Sequence, residues 1–560
     1  MKLKKLLAVA LSVITACTCL SFAACSEPAV QNDGKTVNVM MQLSGYGTAY
    51  VEDVARKFEE VYAEEGYKIN LLDARTSFSG ASALTEMRLD YEKSGIDLVM
   101  TGGVTIKQCL DEEYGACIDN LDDVYNNGAI NFDGSVDPVL IKDKYKSEYS
   151  LERMRHSDGH YYTFATTDGI RGLVYNEKVL KRYGIESYPV TTDELFEMFD
   201  IIYNGNAQVQ GIRPVTWGGD NAAAYALGTL YLGIAQLIGT ENFQEFFELD
   251  YLLNEDGTIK ADGYKFFEDY APELQAVLET LIQKFDVLYS YTGSKTQLHT
   301  KAHAQLVTGK SAFMQDGQYF YTEVMNDFPT YLNDIRMAPN PIVSYLGEKL
   351  KLDGTGNDKE KCDDILSFMC KSFDDGVRTV AELESKTEAQ FPGIDITTEQ
   401  CERIIEARSS FHSDLGTSNY VLKQSPVKDI AKLFIRMMHS EDVADIYAKY
   451  GMFHAFGKAD ESLYAHQFVK DAAKLIESKN YSTTSVLKPG TVRANTNMFL
   501  LPMYNASLVI NINNEMGTPE AGLAARNYTE IAKTVLTNVQ NHAKDNWAKL
   551  IGNGGYELGN

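Results

Sequence analysis

Thr36-Val-Asn-Val-Met-Met-Gln-Leu43 alternates apolar and polar residues, with Val37, Val39, Met41 and Leu43 on one side and Thr36, Asn38 and Gln42 on the other. A period of two is the pattern of a β-strand. The period then changes: Val51, Val54, Ala55, Phe58, Val61 and Tyr62 recur at helical spacing, with charged residues filling the opposite face. Tyr67 to Leu72 reads as a second strand, Ala83 to Lys93 as a second helix, and Ile96 to Met100, between Gly95 and Gly102, as a third strand. Strands alternating with helices imply a parallel sheet with right-handed crossovers, and ligands bind such sheets beyond the carboxyl ends of the strands. Those ends are Ser44-Gly-Tyr-Gly-Thr48, Arg75-Thr-Ser-Phe78 and Thr101-Gly-Gly103, all polar, small or aromatic. Tight strand-to-helix turns use the same residue types, so the signal lies in their coincidence at one edge.

Working outward, Asp158-Gly159 is a turn signal, and His160 to Ala165 and Gly172 to Tyr175 read as strands. Asn176 can open a helix from Glu177 to Tyr183, and Thr191-Thr-Asp-Glu194 is a capping box for a helix through Asp200. The whole chain has 560 residues, 44% apolar and 23% charged, which suits a soluble globular protein of three or four units or two large lobes. With 78 acidic against 52 basic residues the formal charge is -26, a surface that repels phosphate backbones and anionic headgroups. Nucleic acid is therefore excluded as an expected partner. The uncharged stretch from Ala222 to Gly239 is long enough to be a marginal membrane span, but Gly228, Gly233 and Gln236 favour a buried core helix.

The run from Asp158 to Leu180, Asp-Gly-His-Tyr-Tyr-Thr-Phe-Ala-Thr-Thr-Asp-Gly-Ile-Arg-Gly-Leu-Val-Tyr-Asn-Glu-Lys-Val-Leu, followed by Tyr183-Gly184, Pro189 and Thr192-Asp-Glu-Leu, resembles a diagnostic stretch of the family 1 extracellular solute-binding proteins. Those are the sugar-binding lipoproteins of ABC importers, similar in plan to maltose-binding protein. Gly95-Ile-Asp-Leu-Val-Met100, Gly309-Lys-Ser-Ala-Phe-Met-Gln-Asp-Gly-Gln-Tyr319, Met337-Ala-Pro-Asn-Pro341 and the stretch from Lys428 to Gly451 resemble other landmarks in the same order. The resemblance spans roughly residues 36–345 and 415–550. It implies an α/β, two-lobed periplasmic-binding-protein-like fold with hinge strands and an interlobe cleft. Residues 36–166 and 416–490 would form the first lobe, and 167–345 and 491–560 the second. Crossings are expected near Thr166 to Gly169, from Pro339 to the insertion, and near Lys488 to Asn497. Residues 346–415 have no counterpart in the family pattern and read as a charged, helical surface insertion.

The N-terminus carries Lys2, Lys4 and Lys5 before an acid-free apolar stretch, the pattern of a secretory signal over residues 1–24. Ala23-Ala24-Cys25-Ser26 and a polar tether over residues 25–35 resemble a bacterial lipoprotein signal acylated at Cys25, although Phe22 departs from the usual aliphatic residue. Ile14-Thr-Ala-Cys17 fits the local pattern too, but cleavage there would leave an apolar stub in the tether. Acylation would give lasting attachment, so the protein is expected at the extracellular face of the cell membrane, held by lipid alone. Five further cysteines, Cys109, Cys117, Cys362, Cys370 and Cys401, are odd in number, which argues against a full disulfide framework. Only Cys109 and Cys117, around Gly115, could close a loop.

Sugar sites combine polar donors and acceptors with aromatic platforms. Carried over by matching segment, the resemblance implies Tyr46, Thr76, Ser77, Thr101, Gly102, Asp168, Arg171, Trp217, Asn221, Gln318 and Tyr319 as ligand residues. Asp168 and Arg171 could equally be a hinge turn and an exposed strand charge, and Trp217 a core residue. With two Trp and 34 Tyr, stacking falls mainly to tyrosine. Catalytic motifs fail: the glycine that would complete a phosphate loop before Gly309-Lys-Ser is Ala304, and neither HExxH nor GxSxG occurs. His299 and His303 have chelating spacing but no obvious third ligand. No metal, cofactor or enzymatic activity is expected. The expectation is a monomeric binding lipoprotein that closes on an extracellular carbohydrate and presents it to permease subunits. A glycan-processing enzyme, or a sensor partner without transport, is the alternative.

Overall fold

The computed structural model describes residues 33–43, 45–75, 80–89, 94–101, 104, 106–110, 116–145, 151, 154–156, 158–207, 211–248, 254, 258, 260–291, 293–412, 419–483 and 526–553. Cys25 and the signal lie outside them. The first lobe is built on a sheet ordered Tyr420–Val421, Leu98–Met100, Thr36–Met41, Lys68–Leu71. The last three strands run parallel, in register Thr36↔Lys68 and Val39↔Leu98, while Tyr420–Val421 is antiparallel. Alternation buries both faces. Val37, Val39 and Met41 pack under the helices Ala49–Val61 and Lys428–Met438, while Met40 and Val99 face Met87, Val104 and Cys109. Cys109, Cys117, Cys362, Cys370 and Cys401 are all free and buried.

The second lobe's sheet is ordered Tyr481–Thr483, Ser410–His412, Arg171–Asn176, Ser311–Gly317, Arg213–Val215, with Ile335–Ala338 also pairing Arg171–Asn176. It is mixed rather than parallel: Arg171–Asn176 is antiparallel to Ser311–Gly317 and Ile335–Ala338. The reason is its route, since this strand enters straight from the hinge instead of after a crossover helix. At that hinge Thr167–Asp168 pairs with Phe453–His454, and Thr166 Oγ1 lies 2.8 Å from the Tyr447 hydroxyl. The helix Ala222–Ile238 is a core helix, packed by Leu230, Tyr231 and Ile234 against Val277 and Leu278. Among the described residues, no helix is long and apolar enough to cross a membrane.

Two expectations about lobe boundaries need correction. Residues 346–415 are part of the second lobe's core: the helices Lys359–Asp374, Val380–Gln390 and Thr398–Arg408 bury Ile365, Leu366, Met369, Leu383 and Ile404 with Ile234 and Val277. Most of their charged residues occupy outward faces, so a charge-rich sequence still supplies a full apolar stripe. Arg408, wholly buried, holds Asp374 through Nε (2.9 Å) and Nη2 (2.5 Å) and donates from Nη1 to the Asn340 carbonyl (2.9 Å). Residues beyond the hinge strand Phe453–His454, expected in the first lobe as far as 490, pack in the second. Phe468, Val469 and Ala472 join the cluster around Val174 and Met337, and Tyr481–Thr483 extends the second sheet. The terminal helix Tyr528–Asn553 lies against Ala271–Lys284 in that lobe, through Ala532, Val535, Val539 and Trp547.

Candidate functional site

Where the two lobes meet, a first-lobe loop after Thr36–Met41 faces the end of Ser311–Gly317 and the helix Phe320–Met325. Gln318 Nε2 donates to the Tyr46 hydroxyl, and the Tyr46 and Tyr319 rings meet edge to face, 6.2 Å apart at 89°. Gly45 allows this approach. A Cβ there would lie 2.5 Å from Glu323 Oε1 and 3.1 Å from Tyr319 Cβ. On the other flank, Thr322 Oγ1 donates to the Tyr450 carbonyl (3.1 Å).

Gln318, buried, is also fixed from the hinge side, its Oε1 accepting from Ile170 N at 2.8 Å. Asp168 pairs with Lys479 Nζ and accepts from Gly169 N (2.8 Å). Arg171 places its guanidinium carbon 5.9 Å from the Tyr319 ring centre, within cation–π range. Thus the structure brings together Tyr46, Asp168, Arg171, Gln318 and Tyr319. Thr101, at φ 58°, is held within the first lobe: its N–H donates to Asn419 Oδ1 (2.8 Å) and its hydroxyl to the Gln42 carbonyl (2.6 Å). Thr76, Ser77 and Gly102 lie outside the described residues, as does the side chain of Asn221, whose backbone ends the turn Gly219–Asn221.

Trp217 requires correction as a platform. It is 2% exposed, packed in the second-lobe interior with Phe285 (5.4 Å, 74°), Ile170 and Val174. The glycines after it serve the close approach of another segment, not a turn at the cleft edge. A Cβ at Gly218 would meet the His299 backbone at 2.6 Å, and one at Gly219 would overlap the Lys295 carbonyl.

Sequence reasoning missed a row of ionisable groups behind Tyr319. His303, 2% exposed, donates from Nε2 to fully buried Asp316 (2.8 Å), and its Nδ1 lies 3.5 Å from Glu323 Oε2. Burial opposes charge on His303, but the hydrogen bond and charge of Asp316 outweigh it and raise its pKa above the ordinary value. Burial, then the charge of Asp316, push Glu323 up to about 7, with His303 and His299 pulling the other way. Its Oε2 is buried without a hydrogen bond. The spacing of His299 and His303 was a visible signal, but it serves carboxylates: His299 Nδ1 lies 2.8 Å from Asp220 Oδ2. Among the described residues no group of His, Cys, Asp or Glu has the arrangement to hold a metal ion.

Residues 43–347 match the family described as bacterial extracellular solute-binding protein. No curated protein matches the sequence significantly. Among solved structures, the chain is similar to one described in work on xylan utilization by Caldanaerobius polysaccharolyticus (13% identity, TM-score 0.52, 90% of this chain and 99% of that one). It is also similar to the bacterial solute receptor AcbH, described as having an exclusive preference for β-D-galactopyranose (11%, 0.51, 91% and 99%). A third similar structure is the binding protein RafE in complex with raffinose (11%, 0.51, 90% and 99%). At such identities the likeness is one of fold.

Proposed function

Because the chain belongs to the bacterial extracellular solute-binding proteins, we propose that it captures an extracellular carbohydrate, an oligosaccharide, between its lobes and delivers it to the permease of an ABC importer. The observation that carries this is the seam itself. Two tyrosines, a glutamine, an arginine and a carboxylate from both lobes and the hinge converge there. Flat tyrosine faces suit the CH faces of sugar rings, and the flanking amide, guanidinium and carboxylate suit hydroxyls. Sugar-binding neighbours such as the galactopyranose receptor and the raffinose complex support the ligand class.

Closure follows from differential affinity. A ligand held by both lobes binds the closed form more tightly, and that difference shifts the equilibrium. The protein acts as a monomer without catalysis, anchored through acyl chains on Cys25. Thermal-shift screening against a glycan panel tests the reading, since a saccharide at 100 times its Kd stabilises the fold by ~2.7 kcal/mol. If no saccharide raises the unfolding temperature, the carbohydrate reading is wrong. Cys25→Ala should move the protein from the membrane to the soluble fraction; retention on the membrane would remove the anchor from the proposal.

A further inference from the structure

We propose that Glu323 is a specificity-determining residue of the cleft, its carboxylate accepting from two neighbouring hydroxyls of an uncharged saccharide whose ring lies on Tyr319. The inference rests on the carbohydrate reading above. Glu323 follows Tyr319 by one helical turn, so the two side chains share a face of the Phe320–Met325 helix and its cap. That face is the one turned to the first lobe, because both residues lie against the Cβ direction of Gly45. When the lobes separate, a tyrosine ring and a carboxylate stand side by side on the second-lobe wall. An aromatic platform beside a two-oxygen acceptor matches a sugar ring with adjacent hydroxyls.

The surroundings of Glu323 point the same way. His303, held by Asp316, stands behind the carboxylate and fixes its side of the row. The charged groups around it are Asp316 on Ser311–Gly317, His299 and His303 on His299–Val307, and Asp220 beside His299. The facing loop segment, Gly45-Tyr46-Gly47, brings no charge. Oε2 therefore sits buried with a nearby imidazole but no hydrogen bond, and the carboxyl titrates near 7. Hydroxyl donors would supply what it lacks. Asp316 is on the same lobe and stays beside Glu323 when the cleft opens, so the open site keeps an upward shift; hydroxyl bonds to the charged form lower it, binding releases a proton and affinity rises with pH. An anionic sugar would instead meet the repulsion of Glu323 and Asp316.

Isothermal titration of the full chain tests this with neutral saccharides, from galactose through raffinose to chitin and xylan oligosaccharides, between about pH 5.5 and about pH 8. For a saccharide that binds, affinity should rise by about tenfold across that range, with net proton release in buffers of different ionisation enthalpy. Glu323→Gln, nearly isosteric, should bind about tenfold more weakly at the upper pH and lose the slope. Glu323→Asp should bind more weakly but keep the slope, an outcome that a merely structural role would not give. An unchanged affinity and slope in Glu323→Gln, or an affinity that falls with pH in the wild type, would overturn the proposal and leave the carbohydrate reading standing. Failure of every saccharide to bind the wild type would overturn that reading, and this inference with it.

Discussion

Gln315 and Asp316 are neighbours on one strand and face two unlike environments, because successive strand side chains point to opposite sides. Gln315 Oε1 accepts from Lys284 Nζ (2.5 Å) in the interior, where Trp217 also lies against Phe285. Asp316 pairs with His303 beside the lobe seam, behind Tyr319 and Glu323. Both regions hold an aromatic residue next to glycine, Trp217 before Gly218 and Tyr319 two after Gly317. One is covered by its own lobe, the other in part by the opposite lobe, through Tyr46. A residue covered by its own lobe contributes to stability, and one covered in part by the other lobe becomes more exposed when the cleft opens.

This contrast can be broken experimentally, most strongly at Trp217. Trp217→Ala should lower stability by ~3–5 kcal/mol in urea unfolding, as expected for removal of a buried large aromatic side chain. In a Trp547→Phe background, the remaining Trp217 emission should barely respond to a bound saccharide. A Trp217→Ala variant that unfolds normally but loses affinity would return this residue to the cleft. Tyr319→Ala should do the reverse, weakening saccharide binding by ~1–3 kcal/mol in calorimetry while barely moving the unfolding midpoint.

Gly45→Ala sharpens the seam itself. Gly45 is not among the glycines with positive φ, so alanine suits its backbone, but its methyl would press on Glu323 and Tyr319 only when the lobes close. Saccharide affinity should fall by about fivefold, ~1 kcal/mol, with unchanged stability of the ligand-free protein. Equal affinity would mean that the lobes do not meet there in the bound form.

The smallest effect concerns Lys284, whose ammonium is buried with Gln315 and Thr229 (3.3 Å) and whose pKa burial pushes down to about 7. Above that value the folded chain has released a proton that the unfolded chain still holds, so stability rises with pH until the unfolded lysine also titrates. Below it both states are protonated and the dependence fades. The gain between pH 7 and 8 should be ~1 kcal/mol, and Lys284→Met should remove that increment from pH-dependent urea curves. A slope that survives the substitution would assign it to other groups.

Much of the local structure was legible. The strand at Thr36, the helix after it and the helix caps rest on short-range chemistry: Asn176 Oδ1 accepts from Val179 N (3.1 Å), and Thr191 Oγ1 from Glu194 N (3.3 Å). The 346–415 segment misled because charge on outward faces hid an apolar stripe whose partners, Ile234 and Val277, lie far earlier in the chain. Trp217 misled because its adjacent glycines signal close packing without saying against what. Glu323 drew no notice because nothing local distinguishes a glutamate in a helix from a solvated one.

The sequence by itself determined the alternation of strand and helix, the helix starts and the family, since periodicity, capping and motif order are properties of neighbouring residues. Only the tertiary structure decided which lobe owns residues 453–483, that Arg408 is buried on Asp374, and that Gly45 and Glu323 meet across the cleft. Each of these depends on two surfaces far apart in the chain covering one another. Burial across the cleft exists only once they do, and it adds to the shift that Asp316 imposes on Glu323 from within its own lobe.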